Sequence, residues 1–432
     1  MNKNASRRPL LRPFHSPALL LALSVALAAQ TNVASSHAGK VVGAYFEEWS
    51  IYGANYNIAD IQNSGAANVL THVLYAFSNV SSTGQCAIAD SWADYQTPYL
   101  PSVNGEPYNG PLYGNFAALL QLKQLHPNLK VLISIGGASA ANTANFSAAA
   151  STATGRSQLA SSCIDMFING NVAPGVSAAG LFDGIDLDWE FPTAADKQNF
   201  TALVTEFRSQ LSALRTTNRE AYLLTIAAPA GSQNYSNMQL AAVAAQLDFL
   251  NMETYDYHGT WETTTNHAAP LFESPFDPAR GQGLDIDATI GAYLNAGVPA
   301  RKLVLGIPAY GRGWTGVPTH NYGLYQTSSG PAPSPNGDSL ATDGVATYRT
   351  LKTFTASGYA LHHDLFSFAD WLYNPVTETF WTYDDTDSVT AKMAYAKLRS
   401  GGLGGAFEWA IKDDDANATL VKTMANVLHL VP

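Results

Sequence analysis

From Lys40 onward, apolar runs rich in β-branched and aromatic residues recur along the chain, at residues 41–49, 69–80, 131–137, 182–191, 222–230, 249–257, 303–310 and 405–411. Between them lie stretches such as 116–125, 196–214 and 287–296, whose apolar residues repeat at three- and four-residue spacing. The first pattern predicts strands and the second amphipathic helices. Strand–helix alternation builds parallel βαβ units with right-handed crossovers. Eight such strands point to an α/β fold, a closed (β/α)8 TIM barrel. The competing open dinucleotide-binding sheet is the weaker reading, because Gly43 stands alone in the first strand and no glycine-rich turn follows it.

Two segments break the alternation. Residues 81–113 form a long Pro-, Gly- and Tyr-containing loop after the second strand. Residues 314–385 are too long for an ordinary strand–helix loop and contain strand-like pieces such as Glu378-Thr379-Phe380-Trp381-Thr382-Tyr383. This predicts a small α+β insertion after strand seven, on the face where such barrels carry their sites. The expected organisation is therefore an export signal at 1–29, a leader at 30–39 and a barrel over 40–432 interrupted by the insertion.

The signal reading rests on Arg7, Arg8 and Arg12, an apolar run from Ala18 to Ala29, and Ala26-Leu27-Ala28 as a small-residue cleavage site. The run is too short to span a membrane. Ser6-Arg7-Arg8-Pro9-Leu10-Leu11 leaves twin-arginine export and ordinary secretion both open. Composition narrows the partners. With 23 basic against 34 acidic side chains, a net charge of −11 and no basic cluster beyond the N-terminus, neither nucleic acid nor an anionic membrane is expected as partner. Aromatic residues make up 11% while charged residues make up only 13%, which suits stacking against sugar rings. The two cysteines, Cys86 and Cys163, allow one connectivity in an oxidising compartment. A disulfide anchoring the 81–113 loop is preferred over two free thiols. A monomer is expected.

The densest chemistry lies in Phe182-Asp183-Gly184-Ile185-Asp186-Leu187-Asp188-Trp189-Glu190-Phe191-Pro192. Alternation puts Asp186, Asp188 and Glu190 on one strand face, neighbours about 6.5 Å apart, and Ile185, Leu187 and Trp189 on the other. Stacked carboxyls on an inner face are costly unless they share protons and hydrogen bonds. In a barrel, functional groups gather at the C-terminal strand ends. That rule adds Tyr45 and Trp49, Phe77, the segment Ser134-Ile135-Gly136-Gly137, Tyr255 with Asp256, Tyr310 with Arg312, and Trp409. Several acids, phenols, one arginine and an aromatic rim describe a carbohydrate-cleaving site.

These motifs resemble those of glycoside hydrolase family 18. Asp183-Gly184-Ile185-Asp186-Leu187-Asp188-Trp189-Glu190 matches the family's D-G-x-D-x-D-x-E, and Ser134-Ile135-Gly136-Gly137 its S-x-G-G. Leu305 through Arg312, Gly401-Gly402 through Trp409 and Asp413, and the insertion with Trp381-Thr382-Tyr383-Asp384-Asp385 resemble the chitinase-A-like subfamily over nearly all of 40–430. The resemblance implies a secreted chitinase that hydrolyses β-1,4-linked N-acetylglucosamine polymers with retention through an oxazolinium ion. Under it Glu190 is the proton donor, Asp188 orients the substrate acetamide, Asp186 shares a proton with Asp188, and Tyr255 completes the catalytic set. Tyr45, Phe77, Met252, Asp256, Trp261, Tyr310, Arg312 and Trp409 would contact substrate. Arg312 and Tyr310 could instead pair with Asp256. Asp183, Gly184, Ser134, Gly136 and Gly137 would be structural.

Three features depart or stay open. Glu253 stands where the family's M-x-Y-D motif normally has Met, and Met252 lies one residue earlier. Ala138-Ser139 occupies a place where relatives often carry Trp. Trp49, Trp261 and Trp314 are candidates for outer subsites. His258 and His267 lie in no cluster of ligand spacing, so no metal and no cofactor is expected. An endo-β-N-acetylglucosaminidase on the same barrel is the alternative activity, and a non-catalytic chitin-binding lectin is disfavoured by the presence of Glu190.

Overall fold

The computed structural model describes residues 39–429. The expected signal and most of the leader lie outside them. Eight parallel strands close into a barrel: Val41–Glu47, His72–Val80, Lys130–Gly137, Gly184–Trp189, Leu223–Pro229, Phe249–Glu253, Leu303–Pro308 and Gly405–Trp409, here strands one to eight. Strand one pairs with strand two through Gly43↔His72 and with strand eight through Val41↔Gly405, which closes the ring. No helix among the described residues is long and apolar enough to cross a membrane.

Parity divides the strand residues between two cores. On strand four Ile185, Leu187 and Trp189 are buried in the layer between barrel and helices. Trp189 stacks on Phe146 of the helix Ala140–Ala150 at 5.3 Å and meets Phe200 of the helix Lys197–Asn218 edge-on. Inside the ring, Val41, Leu74, Phe249, Val304 and Phe407 form a separate apolar core toward the N-terminal half of the strands. The acids of strand four stand above that plug. Asp183, just before the strand, pairs at the opposite end with Lys123 at 2.8 Å and Lys130 at 3.2 Å.

Two excursions differ in extent from expectation. The loop after strand two contains a short strand, Cys86–Ile88, antiparallel to its end. Cys86 is bonded to Cys163 on the helix Ala153–Cys163, across 77 residues. Closing a loop of that length stabilises the fold by about 4 kcal/mol in the chain-entropy view. The insertion begins at Tyr310, not 314. Strand seven ends at Pro308, whose register partner is Trp409, and the chain turns at Ala309 into an antiparallel sheet. That sheet comprises Tyr310–Thr315, Gly330–Pro331, Val345–Thr347, Ala360–Asp364, Ala369–Asn374 and Thr379–Tyr383. Its core holds Trp314, Val317, Leu324, Trp371, Tyr373 and Phe380. Trp314 is fully buried there and donates its indole N–H to the Glu262 carbonyl, so it is not an outer subsite.

Candidate active site

The floor of the site is a hydrogen-bonded carboxylate. Asp186 accepts from four other strands, two of them its neighbours: from Tyr45 at 2.9 Å (strand one), Ser134 at 2.8 Å (strand three), Thr225 at 2.5 Å (strand five) and Asn251 at 3.1 Å (strand six). Burial raises its pKa and these four donors pull it back. Inward parity brings them together, since each lies on the same face of its strand as the inner apolar plug. Tyr45 thus supports Asp186; it is 2% exposed and packs on Phe407 and Trp409. The four hydrogen bonds of Asp186 come from these side chains, and the charge of Asp186 helps to raise Asp188.

The strand-three glycines serve approach. Gly136 has φ +125 and a Cβ there would fall on the Asp188 carbonyl oxygen; Gly137 has φ +83 and its Cβ would stand 2.7 Å from the Phe77 ring. Gly184 packs its Cα against the Leu223 carbonyl with no room for a side chain. These small residues let strand four pack closely between strands three and five.

At the mouth, one carboxylate oxygen from each of Asp188, Glu190 and Glu253 lies within 4.8 Å of the others. Asp188 Oδ1 and Glu253 Oε2 are buried without a hydrogen-bond partner. Burial, then the charge of Asp256, pushes Glu190 up to about 7. Asp188 is raised well above the ordinary range by burial and by Glu190, Glu253 and Asp186. Glu253 is raised likewise, by burial and by Glu190, Asp256 and Asp186. Two cavities of about 200 and 270 Å³ share Glu190, Glu253, Tyr255 and Asp256 as walls. The larger adds Asp188, Tyr310, Arg312, Trp409, Ala138 and, from the insertion, Leu340 and Val345. The insertion thus supplies one wall of the cleft.

The remaining predicted residues divide. Tyr255 and Asp256 lie just past strand six and line both cavities. Arg312 holds both oxygens of Asp256, at 2.8 and 2.6 Å, which settles its pairing, and sits on the rings of Trp261 and Tyr310. Trp261 is 60% exposed beside it. Phe77 stacks on Trp409 and leans on the exposed Trp49, extending an aromatic rim. Met252 is misplaced by the motif reading. Strand six turns Phe249, Asn251 and Glu253 inward, so Met252 points outward and is fully buried in the helix-facing core. His258 and His267 pair with Glu262 and Asp364.

Sequence reasoning missed Thr225 and Asn251, lone polar side chains in apolar strands, and Glu47, which lines the larger cavity with Asp413 and with it holds Lys412.

Compared with known proteins, the chain matches the glycosyl hydrolases of family 18 over residues 41–414. It is 34% identical to chitinase A1 of Niallia circulans across 97% of this chain and 63% of that protein, and so spans less than two thirds of its length. Endochitinase 1 of Metarhizium robertsii is 33% identical across 94% of this chain and 90% of its own. The solved catalytic domain of psychrophilic chitinase B from Arthrobacter TAD20 superposes with a TM-score of 0.81 at 34% identity, covering 90% of this chain and 95% of that one. The chain belongs to glycosyl hydrolase family 18 and is a glycoside hydrolase.

Proposed function

We propose that this family 18 enzyme hydrolyses chitin and chitooligosaccharides, β-1,4-linked N-acetylglucosamine, with retention at the anomeric carbon. Glu190 protonates the leaving oxygen. The carbonyl oxygen of the substrate's own acetamide attacks C1 and forms an oxazolinium ion, which water then opens as Glu190 takes a proton back. Asp188 orients the acetamide and faces its developing positive charge, Tyr255 hydrogen-bonds it, and Trp409 floors the sugar. The observation that carries the reading is the closeness of Asp188 and Glu190, with carboxylate oxygens within 4.8 Å in a walled cavity. That separation leaves no space for the water an inverting pair needs between its carboxyls. A donor held at about 7 is still charged with its proton in mildly acid and neutral solution. Export of the protein is supported by the leader pattern of residues 1–29 and by the Cys86–Cys163 disulfide.

The test is digestion of chitohexaose followed by anomer-resolving NMR, beside Glu190→Gln. Initial β-anomers from the wild type, and a variant that binds the oligomer but turns it over about 10²–10⁴-fold more slowly, are expected. Initial α-anomers, or cleavage of high-mannose glycans in place of chitohexaose, would sink the reading.

A further inference from the structure

Glu253 occupies the reaction centre without a role in the chemistry just described. Strand six turns it inward beside Asn251, it walls both cavities, and one of its oxygens is within 4.8 Å of oxygens of Asp188 and Glu190. Its Oε2 and Asp188 Oδ1 are both buried and unpaired. The charged and titratable groups around it are Asp186, Asp188, Glu190, Tyr255, Asp256, Tyr293 and Tyr310. Arg312, the basic side chain lining the larger cavity, gives two hydrogen bonds to Asp256. Three carboxyls this close, with no cation of their own, cannot all be ionised cheaply, so the cluster retains protons. Asp186 is already held by four donors, whereas Glu253 Oε2 and Asp188 Oδ1 have none.

We propose, resting on the chitinase reading of this site, that Glu253 is a positioning residue that shares a proton with Asp188 and Glu190 and keeps the donor protonated to higher pH than a lone carboxyl in the same place would be. When Glu190 gives its proton to the glycosidic oxygen, the C1–O electron pair leaves with that oxygen and Glu190 becomes a carboxylate. The O–H of Glu253 then separates that carboxylate from a third charge. The water that opens the oxazolinium returns a proton to Glu190, and Glu253 ends as it began. Above the first deprotonation, the proton remaining in the cluster resides part of the time on Glu190, so activity persists past the point where an isolated donor would be ionised.

The experiment is kcat/KM for chitohexaose against pH, for the wild type, Glu253→Gln, Glu253→Met and Glu253→Asp. The wild type and Glu253→Asp should lose activity on the alkaline side in two steps. The Gln and Met variants, left with one carboxyl fewer beside the donor, should lose it with a midpoint at least about one pH unit lower, the smallest shift that marks strongly coupled sites. Variants whose profiles are merely scaled, with the wild-type shape, would overturn the proposal, because a purely structural residue changes height and not shape. A second readout needs no substrate: the infrared difference between wild type and Glu253→Gln at pH 8 should contain a protonated carboxyl band, and its absence also overturns it. Should the wild type fail to cut chitohexaose, the chitinase reading fails while the infrared result still decides the role of Glu253.

Discussion

Asp186 and Asp188 stand two residues apart on one face of one strand, in opposite surroundings. Asp186 is fully buried and accepts hydrogen bonds from Tyr45, Ser134, Thr225 and Asn251. Asp188 is almost as buried, yet keeps an unpaired oxygen and faces Glu190 and Glu253. The floor is built to hold one charge still; the mouth is built to leave protons movable. A buried carboxylate given four donors is a piece of scaffold, because removing it strands donors that water cannot reach. One left short of donors keeps a high proton affinity and a free valence for substrate.

The largest effect that would break this contrast is on the floor. Asp186→Ala leaves the hydroxyls of Ser134 and Thr225 and the amide of Asn251 without their acceptor, and should cost about 5 kcal/mol of stability or prevent folding. Urea unfolding reads it, and a loss under 1 kcal/mol would place Asp186 with the mouth. Asp188→Asn is the counterpart. It should lower kcat on chitohexaose by about 10²–10⁴-fold while leaving the unfolding midpoint unchanged or slightly higher, since a buried acid without a partner becomes a neutral amide.

The strand-four parity was legible in the sequence because large apolar residues alternate with the acids, and the structure keeps Ile185, Leu187 and Trp189 outside. The ring of eight strands was legible for the same reason. The donors to Asp186 were not, because Thr225 and Asn251 are ordinary polar residues whose meaning appears only when strands four, five and six are in register. The start of the insertion was hidden likewise: Tyr310–Thr315 finds its partners Thr379–Tyr383 some seventy residues later, and nothing local announces that pairing.

The pH dependence of stability sharpens the contrast at a smaller scale. Glu190 rises from 4.5 to about 7 in the folded state, so the fold binds a proton that the unfolded chain has released anywhere between those values. Its contribution is fully present below about 4.5 and is lost as pH rises through about 7. At about 1.4 kcal/mol per pKa unit, that is about 3 kcal/mol. Urea titrations at pH 5 and 8 should show the wild type less stable at pH 8, and Glu190→Gln should remove a corresponding part of the slope. A slope identical in that variant would mean that Glu190 titrates as it does in water.

The smallest expected effect separates the two faces of strand six. The sequence resemblance counts Met252 among the substrate contacts although Glu253 holds the motif's Met position; parity puts Met252 in the helix-facing core, with Glu253 inside. Met252→Leu conserves apolar volume, so it should cost less than about 1.5 kcal/mol and leave kcat/KM and its pH profile as they are. Glu253→Met, one residue away, changes the profile instead. The pair tests parity directly, because neighbours on one strand reach opposite environments and no diffuse effect on the strand could separate them. If Met252→Leu altered the pH profile and Glu253→Met did not, strand six would present its other face to the cleft, and Asn251 could no longer reach Asp186.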